Sequence, residues 1–205
     1  MDNYEIARDR AQKYFLRFDQ SAIIQRWKLK HDDAFLYVDF AGRHYKICRK
    51  TGQVVRIEDG TQAGFSQVLS IFDFLCHEGS SAFLSGRYAP VNSLRNAPIN
   101  GGVDTNFHCK TAQLWDKDPD GFRVACTQLG GIPMELGDIG FRIPVFGEIS
   151  VVVKFYRSDD EFPAGLTLLW DENLLQFLNY ETVFYVADVV LQEIMGRMSP
   201  IGGNV

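Results

Sequence analysis

At 205 residues, 46% of them hydrophobic and 23% charged, the chain can bury one sizeable core or two small ones and has the composition of an ordinary globular protein. A formal net charge of −5 with dispersed Lys and Arg argues against a sequence-independent grip on nucleic acid, which needs clustered cations to displace counterions from phosphate. No window approaches the roughly 20 apolar residues of a membrane span, and Met1-Asp2-Asn3-Tyr4-Glu5 lacks the basic-then-apolar order of a signal peptide, so no membrane and a cytoplasmic location are expected.

In chain order, Asn3 to about Lys28 reads as one helix with a drifting apolar stripe through Ile6, Tyr14, Phe15, Phe18, Ile23 and Trp27, with a restart at Asp19-Gln20-Ser21 capped by Asp19 or Ser21. Leu36, Val38 and Phe40 then alternate with Phe35, Tyr37 and Asp39. After Ala41-Gly42, Tyr45 and Ile47 alternate with polar residues, and Thr51-Gly52 turns into Val54 to Ile57. Three antiparallel strands with one apolar face follow, the other face being wet. Gly64 to His77 is a second helix with Phe65, Val68, Leu69, Phe72, Leu75 and Cys76 inward, stopped by Gly79-Ser80-Ser81. From Ala82 to Gly102 the text is irregular yet keeps Phe83, Leu84, Tyr88 and Val91; a long ordered loop of this kind is a candidate rim of a pocket.

Helical character returns from about Asp104 to Trp115. Asp118-Pro119 reads as N-cap and first helical residue of a short helix that runs through Phe122, Ala125, Cys126 and Leu129 and stops at Gly130-Gly131. Asp138 to Ile143, a turn around Pro144 to Gly147, and Glu148 to Arg157 form a hairpin, to which Leu166 to Trp170 adds a third strand, short, apolar and buried on both faces. The acidic Asp159-Asp160-Glu161 precedes Phe162-Pro163, whose proline holds it in an extended bend. A last helix runs from Thr182 to between Gly196 and Pro200, with Asn179 as cap and Glu181 near the positive end of the dipole, before a frayed tail of Ile201 to Val205. Helices and antiparallel strands without a βαβα rhythm indicate an α+β fold: two three-stranded sheets with four to five helices. It forms one compact unit, conceivable as two lobes, 1–100 and 101–205, with a groove between them as the natural ligand site.

Asp160-Glu161-Phe162-Pro163-Ala164, an apolar run ending in Trp170-Asp171, then Leu178 and Glu181 before a terminal apolar helix, resembles the C-terminal signature of a prokaryotic family catalogued as domain of unknown function 3786. The resemblance extends more weakly through Leu129-Gly130-Gly131, Gly137-Asp138 and the hairpin containing Pro144. It implies a setting among anaerobes. Some members carry a four-cysteine iron–sulfur module before the domain, which by association suggests redox or corrinoid-linked one-carbon metabolism; this chain has no such module.

Chemistry-bearing residues are few. The doublets Cys76-His77 and His108-Cys109 supply metal-type ligands, but neighbours diverge by about 100° on a helix and about 180° on a strand, so each doublet offers one ligand; no metal is assigned, and Cys48, Cys76, Cys109 and Cys126, with no short pair among them, read as reduced thiols. Asp73 and His77, one helical turn apart, can pair as carboxylate and imidazole with Ser80 or Ser81 nearby, although no nucleophile elbow accompanies them. Asp159 and Glu161, at alternate positions, can share a site and raise one pKa, or else cap neighbouring backbone as a solvated loop. Asp171 and Glu172 lie across a strand of about 17 Å from that bend, too far for a catalytic pair. The glycine pairs match no phosphate-binding pattern.

The first expectation is a cytoplasmic accessory protein that binds a small ligand or a protein partner, with Asp160, Glu161, Trp170, Arg87 and Tyr88 as binding candidates and no cofactor assigned. The alternatives are an acid–base enzyme or hydrolase that uses Asp160 and Glu161 with His108 or His77, and a purely structural subunit dimerising through the wet sheet face or through Phe35 and Tyr37.

Overall fold

The alternation from Phe35 to Phe40 becomes the inner and outer faces of a sheet in the computed structural model, which describes residues 3–77, 81–99 and 108–198. The chain divides into two compact units, one of Met1–Ala82 with Gln176–Val189, the other of Phe83–Leu175 with Val190–Val205. Among the described residues they carry six α-helices and nine strands in two antiparallel sheets, an α+β fold. Expectations for Gly79, Ser80, Gly101, Gly102, the helix start at Asp104 and the tail from Ile201 to Val205 lie outside the described residues.

In the first unit, β1 (Lys30–His31), β2 (Phe35–Phe40), β3 (Arg43–Cys48) and β4 (Val54–Arg56) pair in chain order. The register sets Leu36 opposite Ile47 and Val38 opposite Tyr45, so the buried residues of adjacent strands meet on one face and Val54 joins them. Ala41 and Gly42, at φ 49° and 71°, form the two-residue turn whose left-handed centre matches the twist of the flanking strands. On the opposite face Phe35 and Tyr37 are half-buried rather than free: Lys46 Nζ lies 5.1 Å from the Phe35 ring, and the Tyr37 hydroxyl donates to Asp32 at 2.7 Å. The sheet has four strands, not three, because the polar pair Lys30-His31 carries no apolar alternation for periodicity to detect.

The single helix expected from Asn3 to Lys28 is two, α1 (Asn3–Phe15) and α2 (Gln20–Trp27). Asp19 caps the second by accepting from the Ser21 N–H at 2.9 Å, and Lys28, at φ 50°, ends it. The third helix, α3 (Phe65–Cys76), packs beside α1: Phe15 stacks on Phe72 at 4.6 Å and Tyr4 meets Phe65 edge-on at 5.1 Å.

In the second unit, β5 (Tyr88–Pro90), β6 (Ile132–Met134), β7 (Ile139–Phe146), β8 (Ile149–Tyr156) and β9 (Gly165–Asp171) form a sheet of spatial order β5-β9-β8-β7-β6. Three strands were expected; the two additions are its edges, each three residues long and each containing a proline, Pro90 or Pro133. Proline cannot donate to a ladder and is tolerated at an edge, which explains both the misreading and the blunting of these edges against further pairing. Pro144, expected in the turn, lies inside β7 where the register shifts, and the turn is Gly147-Glu148. β9 is buried less evenly than its apolar text suggests, with Leu168 and Trp170 inside but Thr167 exposed.

Two helices, α4 (Cys109–Asp116) and α5 (Pro119–Gln128), bury their apolar sides in an aromatic cluster: Trp115 stacks on Phe122 at 4.3 Å, and Phe122 meets Phe155 of β8 at 5.5 Å. Asp118 caps α5 by accepting from the Gly121 N–H at 2.9 Å, with Pro119 first in the helix. The last helix, α6 (Tyr180–Arg197), begins two residues before the expected Thr182; its residues to Val189 belong to the first unit and those from Val190 to the second. Asn179 precedes it, but its side-chain amide donates to Asp73.

Candidate functional site

The segment expected as a pocket rim, Ala82 to Gly102, contains β5 and a 3-10 turn at Val91–Ser93, and it is tied to the end of β9. The knot is Asp171. Its carboxylate is 4% exposed and accepts from the Ser85 N–H at 3.0 Å, the Ser85 hydroxyl at 3.1 Å, the Gly86 N–H at 2.7 Å and the Asn173 N–H at 2.8 Å. A carboxylate taken from water costs several kcal/mol unless its oxygens are satisfied, and these donors satisfy both. The Ser85 hydroxyl in turn accepts from the Arg87 N–H at 3.1 Å, which fixes the turn leading into β5.

This fastening sets out a row of polar side chains. Tyr88 pairs with Asp171 and Ala89 with Trp170 across β5 and β9. Arg87 donates to the Glu172 carboxylate at 3.0 Å through Nε and stands 2.7 Å from the same oxygen through Nη2, while Arg95 Nη2 lies 3.7 Å from that oxygen. The backbone holds both arginines in place: Glu172 N–H donates to Arg87 C=O at 2.9 Å and Arg95 N–H to Glu172 C=O at 3.0 Å. Asn173, 1% exposed, donates to Phe83 C=O at 3.2 Å, and its side-chain oxygen is buried without a partner.

Of the binding candidates, Arg87 and Tyr88 therefore stand together, and Trp170 lies beside them as a core residue, 2% exposed. Asp160 and Glu161 do not join them. They are exposed in the connection before Gly165, the far end of a seven-residue strand roughly 20 Å long. Asp159 builds that bend by accepting from the Glu161 and Phe162 N–H groups at 2.9 and 2.7 Å, and those bonds, Phe162 first, hold its carboxyl below the usual range. Backbone capping, not crowding of like charges, governs its titration.

In the first unit Asp73 and His77 do approach, Oδ1 to Nδ1 at 3.9 Å. Asp73 also accepts from the Asn179 N–H at 2.7 Å and from Thr182 and the Asn179 amide. Burial pushes the Asp73 carboxyl up, but the nearby His77 and the bonds from Thr182 and Asn179 together outweigh it and leave it below the ordinary value. The His77 carbonyl accepts from Arg26. Ser81 is exposed, and Ser80 lies outside the described residues. The cluster thus joins the end of α3 to the start of α6.

The cysteine–histidine doublets fall in different units, Cys76 and His77 in the first, His108 and Cys109 in the second. Cys76 is buried at the end of α3, its thiol pushed up to about 12 by burial and then by the Asp73 charge. His108, half-buried before α4, is held below the usual imidazole value by burial, and Cys109 opens that helix. Among the described residues no group of three or more His, Cys, Asp or Glu side chains converges as a metal would require. Sequence reasoning missed Ser85, Gly86, Asn173 and Arg95, whose partners are far away in the chain, at separations of 86, 85 and 90 residues for the first three.

A family model described as domain of unknown function (DUF3786) matches residues 19–193, most of the chain. No curated protein and no solved structure matches it.

Proposed function

Since the chain belongs to the DUF3786 family, we propose that it is an accessory binding protein that holds a small anionic ligand where the turn before β5 meets the end of β9. One observation carries this reading: Arg87 and Arg95, their side chains 63% and 52% exposed, share the single carboxylate of Glu172. Each guanidinium has five N–H donors in a planar fork suited to carboxylate or phosphate, so one carboxylate leaves most of that capacity facing solvent. The buried Asp171 anchor supports the reading because it fixes the turn that carries Arg87, and the Glu172 carbonyl holds the Arg95 N–H, before any ligand arrives, which lowers the ordering cost of binding.

A cytoplasmic place of work rests on four widely spaced cysteines, none of them in a disulfide. The link to anaerobic redox or corrinoid-dependent metabolism rests on the family resemblance. Among the described residues no helix is long and apolar enough to cross a membrane.

Titrating inorganic phosphate into labelled protein while following the arginine Nε–Hε resonances tests the reading. Saturable shifts at Arg87 and Arg95, lost in Arg87→Ala, are expected. Uniform drift of all arginine signals, or an unchanged titration in Arg87→Ala, would overturn it.

A further inference from the structure

Trp115 is fully buried in the second unit, at 0% exposure, stacked on Phe122 and edge-on to Phe155. Its indole N–H is a donor with no acceptor of its own and must find one inside the protein. It finds the sulfur of Met195 on α6, with Nε1 to Sδ at 2.9 Å. Met195 is itself 36% exposed. A residue that reaches the surface therefore supplies the acceptor for an indole in an aromatic core, a position in which chemistry at the surface is felt inside.

We infer that Met195 is an oxidative modification site whose state is read by Trp115. With a peroxide as oxidant, a sulfur lone pair of Met195 attacks one peroxide oxygen. The O–O bond breaks as the S–O bond forms, and the proton on the transferred oxygen passes to the departing hydroxide, which leaves as water; the thioether becomes a sulfoxide. The N–H already lies so close to the sulfur that no oxygen fits between them. The sulfoxide must turn its oxygen toward solvent, which leaves the indole N–H facing a sulfur that accepts more poorly, or turn it inward and push the Val190–Arg197 part of α6 off the cluster; either way the contact seen here is lost and packing or hydrogen bonding weakens. A reductase acting on methionine sulfoxide would restore the contact, so the change is reversible.

The test treats the whole protein with hydrogen peroxide, then with a thiol reductant to return the cysteines, and follows peptide mass and thermal unfolding. Expected are one added oxygen at Met195 at least as early as at the exposed Met134, a drop in Tm of roughly 2–8 °C, and recovery after methionine sulfoxide reductase. Met195→Leu, which keeps the volume and cannot be oxidised, should show no drop. The inference fails if Met134 is converted while Met195 stays unmodified in the folded protein. It fails equally if Met195 is converted with no drop in Tm, if the reductase does not restore Tm, or if Met195→Leu drops as much as wild type.

Discussion

Ser85 gives the same oxygen of Asp171 two hydrogen bonds, from its backbone N–H at 3.0 Å and from its hydroxyl at 3.1 Å, across a sequence separation of 86 residues. Asp171→Asn keeps the shape but turns one acceptor oxygen into a donor that faces N–H groups. It should cost about 3 kcal/mol in urea unfolding, against about 1 kcal/mol for Ser85→Ala, which leaves the other donors in place. Equal losses would mean that the carboxylate is not what fastens the turn.

Asp73 sets the acid sensitivity of the first unit. Its carboxyl is depressed in the folded state because the nearby His77 and the bonds from Thr182 and Asn179 outweigh the opposing effect of burial. A depressed carboxyl contributes stability that is present above its unfolded pKa of about 3.9 and lost as pH falls through the lower folded value. Wild type should therefore lose stability below about pH 4, while Asp73→Asn, less stable at neutral pH by about 1–3 kcal/mol, should lose less over that range. Parallel stability–pH curves for the two proteins would show that Asp73 does not carry the effect.

Gly137 tests the hairpin end of the second sheet. It has φ 68°, and a Cβ there would lie 2.7 Å from the Phe155 carbonyl, a backbone atom that cannot step aside. Gly137→Ala should cost about 2 kcal/mol or more, whereas Gly60→Ala, at φ 72° with open space around it, should cost about 1 kcal/mol for conformation alone. Denaturant midpoints of the two variants separate the steric from the conformational part.

The thiols should differ in reactivity. Burial raises Cys126 and Cys76, and neither is accessible, whereas Cys48, half-buried at the end of β3, is lowered chiefly by the Thr51 hydroxyl. Because the thiolate is the nucleophile, iodoacetamide near pH 8 should modify Cys48 well before Cys76 and Cys126, which should react only in denaturant. Peptide mapping against time checks this; early labelling of Cys126 would contradict its place in the core.

What could be read from the sequence was local. Asp19 and Asp118 announce helix starts because a cap needs only a short side chain two or three residues ahead of the N–H it serves, and Leu36, Val38 and Phe40 announce a strand because alternation is intrinsic to the pleat. Edge strands β5 and β6 escaped because three residues around Pro90 or Pro133 carry no period. The corner around Asp171 was half legible: Arg87, Tyr88 and Trp170 stood out singly, but their convergence depends on antiparallel pairing of Tyr88 with Asp171, which nothing near either residue specifies. Asp160 and Glu161 stand out in the sequence because the family resemblance falls on them, and their bend is organised by Asp159 through the backbone.

The affinity of Glu172→Gln for inorganic phosphate, compared with wild type by calorimetry, bears most directly on the anionic-ligand site. Glu172 is the carboxylate that occupies Arg87 and Arg95, so neutralising it should free both guanidinium groups and tighten binding about two- to fivefold, the worth of an exposed ion pair. Binding that is absent, unchanged or weakened in Glu172→Gln would contradict the account.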